Sequence, residues 1–327
     1  MKAWLLDTPG SLDNLRLGDI ADPAPGPGEA LLEVEYAALN PADRYLAEGQ
    51  YPAKPDFPHI LGRDAIGTVS AVGAGVTTVR PGDRRLLLRS EIGVNRPGTF
   101  AQRVAVPVES LVVPPPRWSA EQAAGAPLVY LTAYQALTNW GELPRGGVVL
   151  ITGASGGVGV ASVQLAKAMG HDVVGLSRDP VKSQKLRDLG ALLVLDPNDP
   201  QWVRKVKDTL KPRRIDLAID NVGGPLFNQL LETLGEQGRI SCVGRLAGPV
   251  PEFNTAALFF RRLRIGGIMV GAFTAAESRA AWERILALLD QTGAAPLVDS
   301  VHPFEKLKDA FAHLARGPMG KVLLKLS

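Results

Sequence analysis

Cysteine is almost missing from this chain: Cys242 is the one thiol among 327 residues. That excludes an intrachain disulfide and any zinc site built from several thiolates, and it suits a reducing compartment. Histidine is sparse as well. His59, His171, His302 and His313 fall in three separate regions, and each reads as a surface or capping residue rather than a ligand. No apolar run approaches the roughly 20 residues of a membrane span. The opening Met1-Lys-Ala-Trp-Leu-Leu-Asp7 is too short and too soon charged for a signal peptide, so a cytoplasmic protein with no membrane partner is expected. A large excess of one charge is also lacking: 36 Lys and Arg face 33 Asp and Glu, a formal net charge of +3. The densest basic cluster, Arg261-Arg-Leu-Arg264, reads as a solvated loop before a strand, and no nucleic-acid surface is expected. Repeats and low-complexity tracts are absent too.

What is present is ordinary globular material, 46% apolar and 21% charged. The length exceeds what one hydrophobic core fills, so two domains are expected.

The most informative segment is Val148-Val-Leu-Ile-Thr-Gly-Ala-Ser-Gly-Gly-Val-Gly159, running on into Ala161-Ser-Val-Gln-Leu-Ala-Lys-Ala-Met-Gly170. A short apolar strand ends at Thr152, and a glycine-rich turn then opens a helix. Gly153, Gly156, Gly157 and Gly159 allow positive φ and leave no side chain where a pyrophosphate must approach the backbone. The helix start aims N–H groups and its positive dipole end at the same spot, with Ser155 and Val158 between the glycines. Glycines also serve structural βα turns, so the spacing alone is weak. Context strengthens it. Val160, Val163, Ala166 and Met169 recur at helical period, Gly170 stands at the C-terminal cap, and Val173–Leu176 follows as a second strand. The unit is βαβ, and a dinucleotide is the ligand it suits.

Residues after the second strand speak to which dinucleotide. An acidic residue about 20 positions beyond the glycines would grip a ribose 2′-hydroxyl. Here Ser177 and Arg178 occupy the place, with Lys182 one turn on, a set that suits a 2′-phosphate and hence NADP(H). Asp179 either grips the ribose or caps the helix starting at Pro180. The cap is the preferred reading, because Pro favours the first helical position.

Around this unit the chain changes character. Its first part reads as strands Leu31–Tyr36, Asp64–Val72, Arg84–Leu88 and Thr99–Val106, broken by Pro and Gly. From the capping sequence Ser119-Ala-Glu-Gln122 helices begin. Beyond Val148 strands alternate with helices: Val148–Thr152, Val173–Leu176, Leu192–Leu195, Leu217–Asp220, Ile240–Val243 and Ile265–Val270, with helices Pro180–Leu189, Gln201–Leu210, Pro225–Leu234 and Ala275–Gln291. That alternation predicts an α/β fold with a doubly wound parallel sheet. The tail's closing strand is expected to return to the first domain. The expected boundaries are 1–122, completed by 295–327, and 123–294 for the dinucleotide-binding domain.

With these residues assembled, the chain resembles the zinc-free quinone oxidoreductases of the medium-chain dehydrogenase/reductase superfamily over almost its whole length. The marks are Ala38-Leu-Asn-Pro-Ala-Asp43, Gly49-Gln-Tyr-Pro52, Leu61-Gly-Arg-Asp-Ala-Ile-Gly67, Val72-Gly-Ala-Gly75, Leu128-Val-Tyr-Leu-Thr-Ala-Tyr134, the glycine turn and Gly320-Lys-Val-Leu-Leu-Lys325. The resemblance implies a GroES-like β-rich catalytic domain, a Rossmann NADP(H)-binding domain, an active-site cleft between them and a homodimer, with Ile265–Val270 able to pair across a two-fold axis. Zinc-dependent members of the superfamily carry a Cys near Asn40 and a His-Glu pair where this chain has Arg63-Asp64. No metal is expected.

Without a Lewis acid, the easier substrates are electron-poor: a quinone or an α,β-unsaturated carbonyl. Hydrogen-bond donors would stabilise the developing enolate oxygen. By position in the family those are Tyr51 and Asn40, although alone they read as a packed aromatic before Pro52 and a turn former before Pro41. Carried over as cofactor contacts are Thr132, Asn221, Val243, Gly244, Gly267 and Ile268. Lys321 joins them less firmly, since a solvated charge at a strand start is an equal reading. Cys242 reads as a buried structural thiol. Two alternatives stay open: a 2-enoyl thioester reductase acting on acyl-CoA or acyl carrier protein, and a non-catalytic, crystallin-like NADPH-binding protein.

Overall fold

The structure, a computed structural model, describes residues 1–88, 91–249 and 252–326. The chain divides into two compact units. One comprises Met1–Leu128, Gly271–Trp282 and Ala295–Ser327, and the other Val129–Val270 and Glu283–Ala294.

The first unit is β-rich. Strands β1 (Lys2–Leu6) and β2 (Leu15–Asp19) form an antiparallel pair. β3 (Glu29–Ala38) leads into helix α1 (Pro41–Ala47), then β4 (Asp64–Val72), β5 (Arg84–Leu87), β6 (Arg103–Pro107), β7 (Leu111–Val112) and helix α2 (Ala120–Ala124). Long β3 is the hub, paired antiparallel with β4, β6 and the C-terminal strand. Its alternating Ala30, Leu32 and Val34 are buried against Leu46, Leu61, Phe100 and Phe311, the pattern of a sheet with one face in the core. Two expectations need correction. Asn40 before Pro41 is more than a turn former: Pro41 starts a helix there, at the position where its missing N–H costs nothing. The strand expected from Thr99 begins only at Arg103, because the Thr99 and Phe100 N–H groups turn to the carbonyls of Gly62 and Leu61. The Ser119–Gln122 capping box is present as read.

The second unit opens in α3 (Pro127–Thr138), then alternates: β8 (Val148–Ile151), α4 (Gly157–Ala168), β9 (Asp172–Leu176), α5 (Pro180–Asp188), β10 (Leu193–Leu195), α6 (Trp202–Leu210), β11 (Ile215–Asp220), α7 (Leu226–Thr233), β12 (Leu234–Cys242), α8 (Ala256–Arg261) and β13 (Arg264–Gly267). The strands form a six-stranded parallel sheet in the order β10-β9-β8-β11-β12-β13. The order of strand addition reverses at β8, with β9 on one side and β11 on the other, the switch point where such folds bind ligands. Val148, Leu150, Val174 and Ala218 pack against Trp202, Phe227 and Leu230. Ile265–Val270 is shorter than expected, since Val270 starts a tight 3₁₀ turn. The basic cluster is not purely loop: Arg261 ends α8, and Arg262 holds the left-handed cap with φ 53°.

After α9 (Ala275–Thr292), the tail supplies β14 (Val298–Pro303), α10 (Leu307–Ala315) and β15 (Lys321–Lys325). β15 pairs with both β14 and β3, so the closing strand does return to the first unit's sheet. Among the described residues no helix is long and apolar enough to cross a membrane.

Candidate active site

In the second unit, the bend after β8 is clamped to the end of β11. The Thr152 hydroxyl donates to Asp220 Oδ1 at 2.8 Å and accepts the Asn221 N–H at 2.9 Å. Asn221 Nδ2 returns a bond to the Thr152 carbonyl at 2.8 Å. Gly153 then takes φ 56°, a left-handed conformation that glycine reaches without strain. The Ala154 N–H reaches the Leu176 carbonyl of β9 at 3.2 Å. Gly156 sits at the N-cap of α4 with Gly157 first in the helix, and Ser155 and Val158 are half-buried in the same turn. Gly159 is the most constrained: a Cβ there would lie 2.3 Å from the Gly153 carbonyl oxygen. The turn therefore closes on its own backbone, as a phosphate cradle must.

Neighbouring strand ends join the same edge. The Val243 and Gly244 N–H groups both donate to the Asp220 carbonyl, at 2.9 and 3.2 Å, and Ile268 N–H donates to the Cys242 carbonyl at 2.9 Å. A Cβ on Gly244 would sit 2.5 Å from the Asn221 carbonyl oxygen, whereas Gly267 faces open space. Asn221 Oδ1 is buried without a hydrogen-bond partner. An orphaned acceptor costs about 1–3 kcal/mol, so it suits a ligand donor. By these two observations, the close-packed turn and the orphaned oxygen, the residues present fit a dinucleotide. Thr132 is buried within α3.

Beyond β9, Ser177 is buried with its N–H on the Leu195 carbonyl, and Arg178 is exposed. Lys182 lies half-buried in the first turn of α5. Asp179 is the cap of that helix: Oδ1 accepts the N–H of Val181 at 2.8 Å and of Lys182 at 3.0 Å. Those backbone donors hold its carboxyl below the usual range. Cys242 is half-buried rather than fully so, and burial, with Asp220 nearby, pushes its thiol up to about 11.

The first unit holds a different cluster. Gly62, at φ 100°, brings the chain tight against Thr99 and Phe100, where a Cβ would be only 2.5 Å from Thr99 Oγ1. That turn sends Arg63 and Asp64 inward. Asp64 is fully buried; its Oδ1 accepts the Leu128 N–H at 3.1 Å and its Oδ2 the Asn40 Nδ2 at 2.9 Å. From the far end of the sequence, Gly320 at φ 89° lets β15 start beside Leu297 and turns Lys321 inward, its stem against Gly125. Lys321 Nζ donates to Asn40 Oδ1 at 2.6 Å and the Leu39 carbonyl at 2.9 Å, and lies 3.4 Å from Asp64 Oδ2.

Lys321 is therefore no solvated charge: it is 4% exposed. Nor is Asn40 a free donor. Its Nδ2 is taken by Asp64 and, at 3.4 Å, the Ala38 carbonyl, while its oxygen is taken by Lys321.

Asp43 and Arg63 extend the network. Asp43, also fully buried, accepts the Asn40 backbone N–H at 2.8 Å and Arg63 Nε at 3.2 Å. Burial pushes its carboxyl up to about 6 against the pull of Arg63. Arg63 Nη1 donates to the Tyr51 phenol oxygen at 3.1 Å, and its Cζ lies 4.4 Å from the Tyr51 ring centroid. Two buried acidic side chains thus meet the buried Lys321 and the largely buried Arg63.

A zinc ion does not fit this donor set. Asn40 Oδ1 and Asp64 Oδ2 already face the Lys321 ammonium, Asp64 Oδ1 takes the Leu128 N–H, and Asp43 is held by Arg63. Among the described residues, no group of three or more His, Cys, Asp or Glu is arranged to hold a metal. His59 is a core residue, 3% exposed, rather than a surface one. Asp43, Arg63 and Asp64 are absent from the sequence-derived candidates. Their signal was two ionisable residues inside the apolar run Leu61–Gly67, and an Asp three positions after Asn40.

Comparison with known proteins bears on the family. Residues 26–117 match the family described as alcohol dehydrogenase GroES-like domain, and residues 157–314 the family described as zinc-binding dehydrogenase. The chain is 31% identical to the human synaptic vesicle membrane protein VAT-1 homolog, covering 96% of this chain and 84% of that one. It is 28% identical to the pig (Sus scrofa) quinone oxidoreductase, over 94% and 92% of the two chains. Acryloyl-coenzyme A reductase of Sulfurisphaera tokodaii is 27% identical over 99% and 100%. Among solved structures, an NAD-dependent alcohol dehydrogenase superposes with TM-score 0.92 at 28% identity, covering all of both chains. A mycobacterial protein complexed with NADPH gives 0.90 at 28%, again covering all of both. The chain belongs to the medium-chain dehydrogenase/reductase superfamily, in its quinone oxidoreductase branch, and is an oxidoreductase.

Proposed function

We propose that this protein is an NADPH-dependent reductase of quinones or α,β-unsaturated carbonyls that works without a metal ion. The observation that carries the reading is the closed network of Asn40, Asp64 and Lys321, in which Asn40 Oδ1 and Asp64 Oδ2 are already committed to an ammonium. An acceptor that is already electron-poor needs no metal electrophile.

The glycine turn 153–159 and Asn221 would hold the dinucleotide, with Thr132, Val243, Gly244, Gly267 and Ile268 along its path. Arg178 and Lys182, with Ser177, would hold the 2′-phosphate. Asp179 is committed to its helix cap, which removes the usual acidic grip on the ribose. The NADPH-bound mycobacterial relative supports the phosphorylated form, while the NAD-dependent one marks it as a point to test.

NADPH, when held there, would supply hydride. The chain's own part is to stabilise the oxygen on which charge develops. Tyr51 is the donor for that: its oxygen accepts from Arg63, so its O–H remains to donate. Asn40, with both amide ends engaged, orients the cluster instead. The protein acts in the cytoplasm as a homodimer, an assembly supported by edge strand β13 and the exposed Phe259, Phe260 and Met269 beside it.

A second reading, reduction of a 2-enoyl thioester, is favoured by the similarity to the acryloyl-coenzyme A reductase. Steady-state turnover of 1,4-benzoquinone, an enone and crotonyl-CoA with NADPH decides between them. Greater efficiency on the thioester would displace the first reading. NADPH binding with no oxidation by any acceptor would leave a binding protein.

A further inference from the structure

Arg63 lies outside the dinucleotide turn and outside every assigned role. Its guanidinium is about one-tenth exposed and makes bonds in three directions. Nε reaches Asp43 Oδ1 at 3.2 Å, Nη2 the Ala42 carbonyl at 3.2 Å, and Nη1 the Tyr51 phenol oxygen at 3.1 Å. The first two partners stand in the first turn of α1, and Arg63 itself leads into β4. Tyr51 belongs to the irregular segment between these elements, so the guanidinium ties that segment to both. The stack of Cζ on the ring, 4.4 Å from its centroid, fixes the ring plane as well.

A phenol has one hydrogen to donate and lone pairs to accept with. Arg63 occupies the accepting side with a charge-assisted bond, so the hydrogen must point elsewhere. A fixed cation on the phenol oxygen also stabilises the negative charge that grows there as it donates strongly.

We propose that Arg63 is a positioning residue that acts through Tyr51, setting the phenol so that its O–H is presented to the acceptor's oxygen. This rests on the functional reading of Tyr51 given above. The planar fork is required, since a single ammonium cannot reach Asp43, Ala42 and Tyr51 together while stacking on the ring.

The test is a mutant cycle on the full-length enzyme. Removing the guanidinium alone would leave the Asp43 carboxylate buried and unpaired, so the neutral pair Asp43→Asn/Arg63→Gln carries the measurement, with and without Tyr51→Phe. In the Tyr51 background the pair should lower kcat for 1,4-benzoquinone about tenfold, the scale of one lost charge-assisted hydrogen bond, with KM and NADPH affinity changed less than about twofold. In the Tyr51→Phe background the same pair should change kcat less than about twofold. Equal losses in both backgrounds would overturn the proposal, and so would no loss in either.

A second readout needs no turnover. The tyrosine Raman doublet, taken as wild type minus Tyr51→Phe, reports whether the phenol oxygen accepts a hydrogen bond. It should show an accepting phenol in the wild type and lose that signature in the Asp43→Asn/Arg63→Gln protein. An unchanged doublet would sink the role of Arg63 even if NADPH turnover is robust. An absence of turnover with the expected Raman change would instead sink the functional reading and leave the Arg63–Tyr51 coupling standing.

Discussion

Substituting Lys321 by Met tests the buried network most sharply. The ammonium is 4% exposed and its partner Asp64 fully buried, so removing the charge strands a carboxylate among Asn40, the Leu128 N–H and apolar neighbours. Breaking a buried pair in this way costs about 3–5 kcal/mol. At roughly 2–4 °C per kcal/mol for a domain of this size, the melting temperature should fall by about 6–20 °C. Contact distance does not decide the outcome. Lys205 and Asp199 approach to 2.5 Å, closer than the 3.4 Å of Lys321 and Asp64, but the Lys205 side chain is half exposed. A solvent-exposed pair is worth little, so Lys205→Met should shift melting by no more than about 4 °C. Differential scanning calorimetry of both variants makes the comparison. The neutral pair Asp64→Asn/Lys321→Met should recover at least half of the loss. A Lys321→Met protein melting within about 2 °C of wild type would show that the buried charge pair does not hold the fold, as would a surface variant that falls further than the buried one.

Three other outcomes are expected. Gly159→Ala should abolish NADPH binding measured by fluorescence titration, because its Cβ would lie 2.3 Å from the Gly153 carbonyl oxygen and force the cradle open; retained affinity would remove the turn from the site. Arg178→Asp should weaken NADPH binding at least about tenfold while sparing NADH, the loss of one charge-assisted phosphate contact, and equal loss for both would place the 2′-phosphate elsewhere. Asp43 should give the activity an acid limb. Its carboxyl is raised from 3.8 to about 6 by burial, facing Arg63, Lys321 and Asp64. As pH falls through about 6 it takes a proton and loosens its hold on Arg63, so kcat should decline there in the wild type and stay flat in Asp43→Asn. The same shift makes the folded state bind this proton more readily than the unfolded one. Its contribution to stability is full below 3.8 and is lost as pH rises through about 6.

The parallel-sheet unit was legible because its signals are local. A strand of Val, Leu and Ile, a glycine bend and a helix at period 3.6 are written in consecutive residues. Asp179 could be assigned to its cap from Pro180 alone. The polar cluster was legible only in part, for the opposite reason. Lys321 meets Asn40 and Asp64 across more than 250 positions of sequence, and a lysine at a strand start looks solvent-facing until β15 is docked on β3. Gly320, with a conformation closed to other residues, was the one local hint that the chain there is steered inward. Helix α1 was hidden because Asn40-Pro41 reads equally well as a turn, and only the packing of Leu46 into the core selects the helix. His59 misled in the same manner: composition cannot tell a core histidine from a surface one.

On this reading the bend after β8 holds NADPH, and reduction proceeds with no metal at Asn40 and Asp64. Stopped-flow oxidation of NADPH by 1,4-benzoquinone, measured before and after exhaustive chelation with metal content determined on the same samples, tests it directly. Oxidation should be saturable, prefer NADPH over NADH and be unchanged by chelation in protein containing less than about 0.1 zinc per chain, far below the full occupancy a catalytic zinc site requires. Activity that disappears on chelation and returns with stoichiometric zinc would contradict that reading.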